Sequence, residues 1–431
     1  MSRYGDRFNT PFMNKDMATE ILLNADFRDI FNLCQLNTLF NQICQSNSFW
    51  RKRYLQDYGN DGPAYLPGGN WREAYRIRYQ SKLYMFGDNT GGQLGTGDEV
   101  DRLVPTRVTV DNMDNIIDIV DLSCGYLHTG VVTGGGKLWM FGNNIRGQLG
   151  DRMGNSDVPV EHKSLTDVVR VSCGMFHTGV VTKDGKLWMF GDNPDGQLGN
   201  GTNVRSFIPV EIQSLTNVID VSCGEYHTGA VTADGKLWMF GSNTDGQLGD
   251  GTRNSSNVPI LIATDVLGDP IDVVQVSCGK DYTGIVTRDG KVYMFGLNND
   301  GQLGKDGLAI TDRPIRVELL TDAIQISCGS YHTGVVTKTG KLYTFGVNIC
   351  DELGIDDDVE YMEPVEITTV RGAVQVSCGK HRTGVIDRNG KVHLFGEDCG
   401  LSFNGIDDIQ YARIISCGND HNGVVGHMRD Q

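Results

Sequence analysis

The chain has 431 residues and a formal net charge of −16, with 56 glycines, 11 prolines and 11 cysteines. No run approaches the roughly 18 apolar residues of a membrane-spanning helix, and Met1-Ser2-Arg3-Tyr4-Gly5-Asp6-Arg7-Phe8 lacks the apolar stretch of a secretory leader. An odd cysteine count without a leader argues against a disulfide framework and for a reducing, intracellular setting, cytoplasmic or nuclear. Residues 1–80 hold 10 Lys+Arg against 8 Asp+Glu, a net of +2, which leaves −18 for the remainder. So acidic a body repels phosphate backbones, and direct nucleic-acid binding by it is not expected.

After a flexible N-terminus (1–13), residues 14–80 read as a small helical domain. Met17, Ile21 and Leu22, then Ile30, Leu33 and Cys34, then Leu36, Leu39, Phe40 and Ile43 recur at helical steps, with breaks near Asn24-Ala25-Asp26 and Gln45-Ser46-Asn47. A further helix is expected from Asn70 to Arg78. So small a module is expected to need a partner, or another part of the chain, to cover its apolar surface. The order Met17-Ala-Thr-Glu-Ile-Leu-Leu23, Asp29-Ile-Phe-Asn-Leu-Cys-Gln-Leu-Asn37, Phe40-Asn-Gln-Ile-Cys44 and Phe49-Trp50-Arg-Lys-Arg-Tyr54 is similar to an F-box over residues 14–58. It departs from that pattern at the front, where Phe12-Met13-Asn14-Lys15 replaces the usual Leu-Pro. The resemblance implies docking to the adaptor of a cullin-type ubiquitin ligase. The expected anchors are Ile21, Leu22, Phe27, Ile30, Leu33, Phe40 and Trp50.

From residue 81 to 426 one unit is written about seven times, with a short tail at 427–431. A Phe-Gly element ends at Gly87, Gly142, Gly191, Gly241, Gly296, Gly346 and Gly396, at spacings of 55, 49, 50, 55, 50 and 50. A Ser-Cys-Gly element places Cys124, Cys173, Cys223, Cys278, Cys328, Cys378 and Cys417. The first unit lacks Ser-Cys-Gly and the last lacks Phe-Gly, a phase shift that serves a closed ring rather than an open solenoid. Each unit carries an Asp-Gly or equivalent hairpin turn, as at Asp184-Gly185, between β-rich runs, and a proline-led outer strand such as Pro209-Val210-Glu211-Ile212. The fold class expected is mainly β: a seven-bladed β-propeller closed by strands from both ends of the repeat region. The Gly-Gln-Leu-Gly loops, as at Gly196-Gln197-Leu198-Gly199, lack the Lys-Ser/Thr ending of a phosphate loop and read as backbone turns.

Ser-Cys-Gly-x-x-His-Thr-Gly-Val-Val-Thr, followed by Gly-Lys-Leu-x-x-Phe-Gly and Gly-Gln-Leu-Gly, resembles the repeat of the regulator of chromosome condensation family across residues 82–425. Three rings of residues follow from the repeat. His128, His177, His227, His332 and His421 share a position that Tyr282 and Arg382 occupy elsewhere, and are expected to hydrogen-bond backbone rather than metal. The seven cysteines are expected to be small buried hydrophobes too far apart to bridge. Trp139, Trp188 and Trp238 are expected to pack between blades; a plant photoreceptor of this fold uses tryptophans beside the His-Thr element, where this chain has Tyr126-Leu127, Met175-Phe176 and Glu225-Tyr226.

No paired carboxylate, Ser/His/Asp set or Cys-x-x-Cys site stands out, so no enzyme, cofactor, metal or small-molecule ligand is expected. The two resemblances together imply the substrate-recognition subunit of a cullin-type ligase, with the propeller holding the target protein. The alternatives are a guanine-nucleotide exchange factor for a Ran-type GTPase, disfavoured because no unit exceeds 55 residues, and a propeller scaffold. The least regular repeats are the last two. Asp351, Glu352, Asp356, Asp357 and Asp358 form an acidic departure from the Gln-Leu-Gly loop, and Phe403 lies in another; both are candidate partner-binding loops.

Overall fold

The computed structural model describes residues 13–25, 27–36, 38–58, 67–110, 118–151, 154–357, 359–396 and 405–428. The chain divides into two compact units, Met1–Gln80 and Ser81–Gln431.

Among the described residues the first unit has five α-helices: α1 (Lys15–Asn24), α2 (Phe27–Leu36), α3 (Thr38–Cys44), α4 (Asn47–Tyr58) and α5 (Trp71–Gln80). Asn14 starts α1 by accepting the Met17 amide at 2.9 Å, and Asn70 starts α5 by accepting that of Glu73 at 3.2 Å. Arg53 closes α1 from a distance. Its Nη1 donates to the carbonyls of Leu22, Leu23 and Ala25 at 3.1, 2.6 and 2.9 Å, which the end of a helix otherwise leaves unpaired. The unit has a core of its own, in which Ala18, Leu22, Ile30, Phe40, Ile43, Trp50, Tyr54 and Tyr75 are buried against one another. Part of its apolar surface is thus covered from within, since α4 and α5 supply the aromatic layer that α1 to α3 lack, while Met17 stays 52% exposed. A Cys34–Cys44 disulfide joins α2 to α3, a single bridge among the described residues, where the cysteine count argued against a disulfide framework.

The second unit is the seven-bladed ring. Blade one spans 119–161, blade two 168–211, blade three 218–262, blade four 273–316 and blade five 323–366. Blade six has three strands among the described residues, at 373–395. Blade seven combines Ile409–Cys417 and His421–Met428 with Lys82–Gly87 and Arg102–Val108. Lys82 pairs with Gly426 and Gly87 with His421, so the N-terminal strand completes the blade that the C-terminal strands begin. The register slips between Ser206 and Val210 where the outer strand of blade two pairs its neighbour, and Pro209 sits in that slip rather than opening the strand. A residue with no amide hydrogen loses nothing there.

The apolar core lies between blades. Val132, Leu138, Met140 and Leu149 of blade one pack with Val168, Val171, Val180 and Phe190 of blade two, and the pattern repeats around the ring. It continues across the closure, where Leu83, Met85 and Val425 meet Ile119, Leu122 and Phe141. The Gln-Leu-Gly loop belongs to this packing. Leu198 is fully buried, and a Cβ on Gly199 (φ +65°) would lie 2.7 Å from the Phe240 ring of the next blade.

Candidate functional site

Around the axis, the repeated residues bind blade to blade. In every blade the cysteine amide donates to the serine hydroxyl of the preceding blade's inner strand: Cys173 to Ser123 at 2.8 Å, Cys223 to Ser172 at 2.9 Å, and, across the closure, Cys124 to Ser416 at 2.9 Å. The cysteines themselves are buried thiols, and burial pushes Cys124, Cys223, Cys328 and Cys417 up to about 12.

The histidines form a second belt, meeting a threonine of the next blade in addition to the expected backbone. His177 Nε2 lies 2.9 Å from Thr228 Oγ1, and Thr228 Oγ1 donates to the Gln197 carbonyl at 2.8 Å. A threonine that gives its one hydrogen to a carbonyl must accept from the imidazole, which fixes the Nε2–H tautomer. The same relay runs His128–Thr178–Gln148, His227–Thr283–Gln247 and His421–Thr129–Gln93. Each of these junctions is thus closed by the preceding blade's histidine and loop meeting one hydroxyl. Burial holds His128, His177, His227 and His421 down at about 3 and His332 at about 4, so the belt is neutral. Where Tyr282 replaces histidine, its hydroxyl donates to the His332 carbonyl at 2.6 Å.

With Ser-Cys-Gly and His-Thr both committed to junctions, the two residues between them are released at the mouth of the ring. They are Tyr126-Leu127, Met175-Phe176, Glu225-Tyr226, Lys280-Asp281, Ser330-Tyr331, Lys380-His381 and Asn419-Asp420. The first of each pair, with the Cys-Gly elements, lines an axial depression with about 100 Å³ of internal volume. The second aromatic of the set begins a wall: Phe176 meets Tyr126 edge-on at 5.6 Å, and Tyr331 stacks on His381 at 6.1 Å. Lys280 Nζ donates to Tyr331 Oη at 2.9 Å and lies over its ring. Burial raises the Glu225 carboxyl, with Lys280 opposing, and raises Asp281, with Asp245 adding to it. The mouth therefore sets partly desolvated charges of both signs among aromatic rings. The sequence signal for it was the variability of those two positions inside an otherwise fixed repeat.

The residues singled out from sequence fall differently. Leu22, Ile30, Leu33, Phe40 and Trp50 lie in the helical unit's core, Leu22, Ile30 and Phe40 at 0% exposure, so they shape that unit rather than present themselves to a partner. Ile21 is half-buried against the same core, and Phe27 begins α2. In the acidic segment, Asp351 is exposed with φ +58° and Asp356 is exposed. Asp357 accepts from Tyr361 Oη at 2.8 Å and from the Val359 amide at 3.3 Å. Glu352 is fully buried, which corrects its assignment to a partner-binding loop: it fills the slot that glutamine takes elsewhere, accepting the Cys350 amide at 2.7 Å. Where glutamine would offer an amide hydrogen, Glu352 Oε1 instead faces His381 Nδ1 at 3.6 Å. Asp358 and Phe403 lie outside the described residues. Trp188 and Trp238 are half-buried against inter-blade clusters, and each also walls an open groove, of about 500 and 450 Å³.

The RCC1-like domain matches residues 82–401, nearly three quarters of the sequence. The chain belongs to the RCC1-like family. Over 93 residues this RCC1-like chain is 39% identical to the dog X-linked retinitis pigmentosa GTPase regulator, a stretch covering 22% of the chain and 9% of that protein. Among solved structures, human WBSCR16 superimposes with a TM-score of 0.69 at 22% identity, covering 81% of this chain and 99% of that one. Yeast RCC1 (Prp20), solved with Kap60 bound, gives 0.70 at 18% identity over 83% and 92%. These likenesses establish a shared fold. No helix among the described residues is long and apolar enough to cross a membrane.

Proposed function

We propose that the chain is a non-catalytic receptor whose propeller mouth binds a target protein and whose helical unit joins it to the adaptor of a cullin-type ubiquitin ligase. The receptor half rests on one observation. The serine of every Ser-Cys-Gly element and the five histidine–threonine pairs are consumed by blade junctions, whereas the seven dipeptides at the mouth differ from one another and combine aromatic rings with half-buried charges. A surface that varies on a fixed frame is where specificity resides in loop-bearing scaffolds. The ligase half rests on the F-box-like order of residues 14–58 and on their folding as a helical unit with its own core. Docking then falls to residues outside that core: Met17, 52% exposed, and the half-buried Ile21 and Leu39.

The test is a pull-down of the full chain with the ligase adaptor and cullin, beside Met17→Asp and the mouth variant Lys280→Glu/Lys380→Glu. Met17→Asp is expected to weaken adaptor capture by about 30-fold, the effect of losing one interface anchor, and to leave target capture unchanged. The mouth variant is expected to do the reverse. An unmodified full chain that retains neither adaptor nor cullin would overturn the ligase half.

A further inference from the structure

The eleven cysteines are not equivalent. Seven belong to the Ser-Cys-Gly ring, where each is 6–8% exposed and its thiol is disfavoured from ionising by burial. A buried, protonated thiol is a poor nucleophile and a poor redox partner. Cys34 and Cys44 stand in the other unit, and among the described residues they form the one disulfide. Cys34 is half-buried on α2, within reach of an attacking thiolate, whereas Cys44 is 2% exposed at the end of α3. The unit they cross-link is small, and one cluster of buried side chains holds all five helices. Small units of this kind depend heavily on a single cross-link. Cys44 is also where two other interactions converge: its carbonyl accepts the Trp50 indole N–H at 2.9 Å, and Trp50 packs edge-on to Phe49 and tilted against Tyr75. The cross-link therefore holds the strand of chain that seats the aromatic layer.

We propose that the Cys34–Cys44 disulfide is a reversible thiol–disulfide switch that sets the stability of the helical unit while leaving the propeller untouched. The reductant is a dithiol. Its thiolate attacks Cys34 Sγ, the sulfur of the less buried residue; the S–S bond breaks, and Cys44 leaves as a thiolate that takes up a proton. The second thiol of the reductant then attacks its own mixed-disulfide sulfur, releasing Cys34 as a thiol. One disulfide is reduced and one formed, two electrons pass to the protein, and the two protons of the reductant's thiols end on Cys34 and Cys44. A disulfide of the oxidised dithiol runs the sequence backwards. The inference does not depend on what the helical unit binds.

The test uses the native full chain. Before reduction, N-ethylmaleimide is expected to leave Cys34 and Cys44 unlabelled in a peptide map. After dithiothreitol both are expected to take up label, while Cys173, Cys223 and the rest of the ring stay unlabelled. Closing a loop of about ten residues constrains the opened chain enough that reduction should speed amide exchange in α2 and α3 by roughly a hundredfold. Exchange in blade two is expected not to change. The Cys34→Ser/Cys44→Ser double variant should exchange like the reduced protein with or without dithiothreitol. Three results would each overturn the proposal: label on both residues before reduction, resistance of both to dithiothreitol in the native chain, or full reduction with no change in α2 and α3 exchange.

Discussion

Acid should dismantle the propeller through its histidine belt, and the protons can be counted. In the unfolded chain an imidazole binds a proton below about pH 6.5; in the ring, His128, His177, His227 and His421 do not until about 3, and His332 not until about 4. The unfolded state thus binds more protons throughout this window, so stability is fully present above pH 6.5 and is lost as the pH falls towards 3. Between pH 7 and 5 each histidine withdraws about 1.9 kcal/mol, and five withdraw about 9 kcal/mol. Asp220 works the other way. Burial raises its carboxyl to about 6, and protonating it over the same interval returns roughly 1 kcal/mol. The net loss rivals the whole stability of an ordinary domain. The assay is proton uptake when urea unfolds the chain in weak buffer at pH 5.5. The belt should contribute about 4.5 protons, less about 0.7 for Asp220. His177→Tyr, copying the side chain that position 282 already uses, should lower the uptake by about one proton. An unchanged uptake in that variant would mean that His177 is charged in the fold, and the tautomer argument would fail.

Two further outcomes follow from single contacts. Thr228→Val keeps the shape of the side chain but strands both the His177 imidazole and the Gln197 carbonyl; it should destabilise by about 2–5 kcal/mol in urea unfolding, with Thr228→Ser recovering most of that. Arg53→Met removes the group that closes α1 and leaves Asp57 without its ion pair. Exchange of α1 amides should rise by two to three orders of magnitude, the equivalent of about 3–4 kcal/mol, with the propeller strands unaffected.

The ring was legible because its signals are local or periodic. Asp184-Gly185 announces a hairpin by itself, and the mismatch between first and last repeats announces closure without any knowledge of distances. What joins the blades was not legible. His177 and Thr228 are 51 residues apart, and nothing in a repeat says whether a histidine reaches its own backbone or the next blade's hydroxyl. Glu352 illustrates the same limit: acidic neighbours made it read as part of a partner-binding loop, while its burial follows from inheriting a glutamine slot, where it accepts a backbone amide as glutamine does elsewhere. In the helical unit, the periodicity of Leu22, Ile30 and Phe40 marked a buried face correctly but could not say what buries it. That depended on Trp50, Tyr54 and Tyr75 arriving from helices further along.

The closure has a consequence for how the protein is made. Strand Lys82–Gly87 leaves the ribosome early, yet its inner partner, His421–Met428, is synthesised more than 330 residues later. At 5–20 residues per second, one flank of that strand waits roughly 20 to 70 s with its amides and carbonyls unsatisfied. Blades one to five meanwhile have every strand they need from their own contiguous sequence. The nascent chain is therefore an open arc with a sticky end for most of its synthesis, and that end, rather than any finished blade, is where a chaperone would have most to protect.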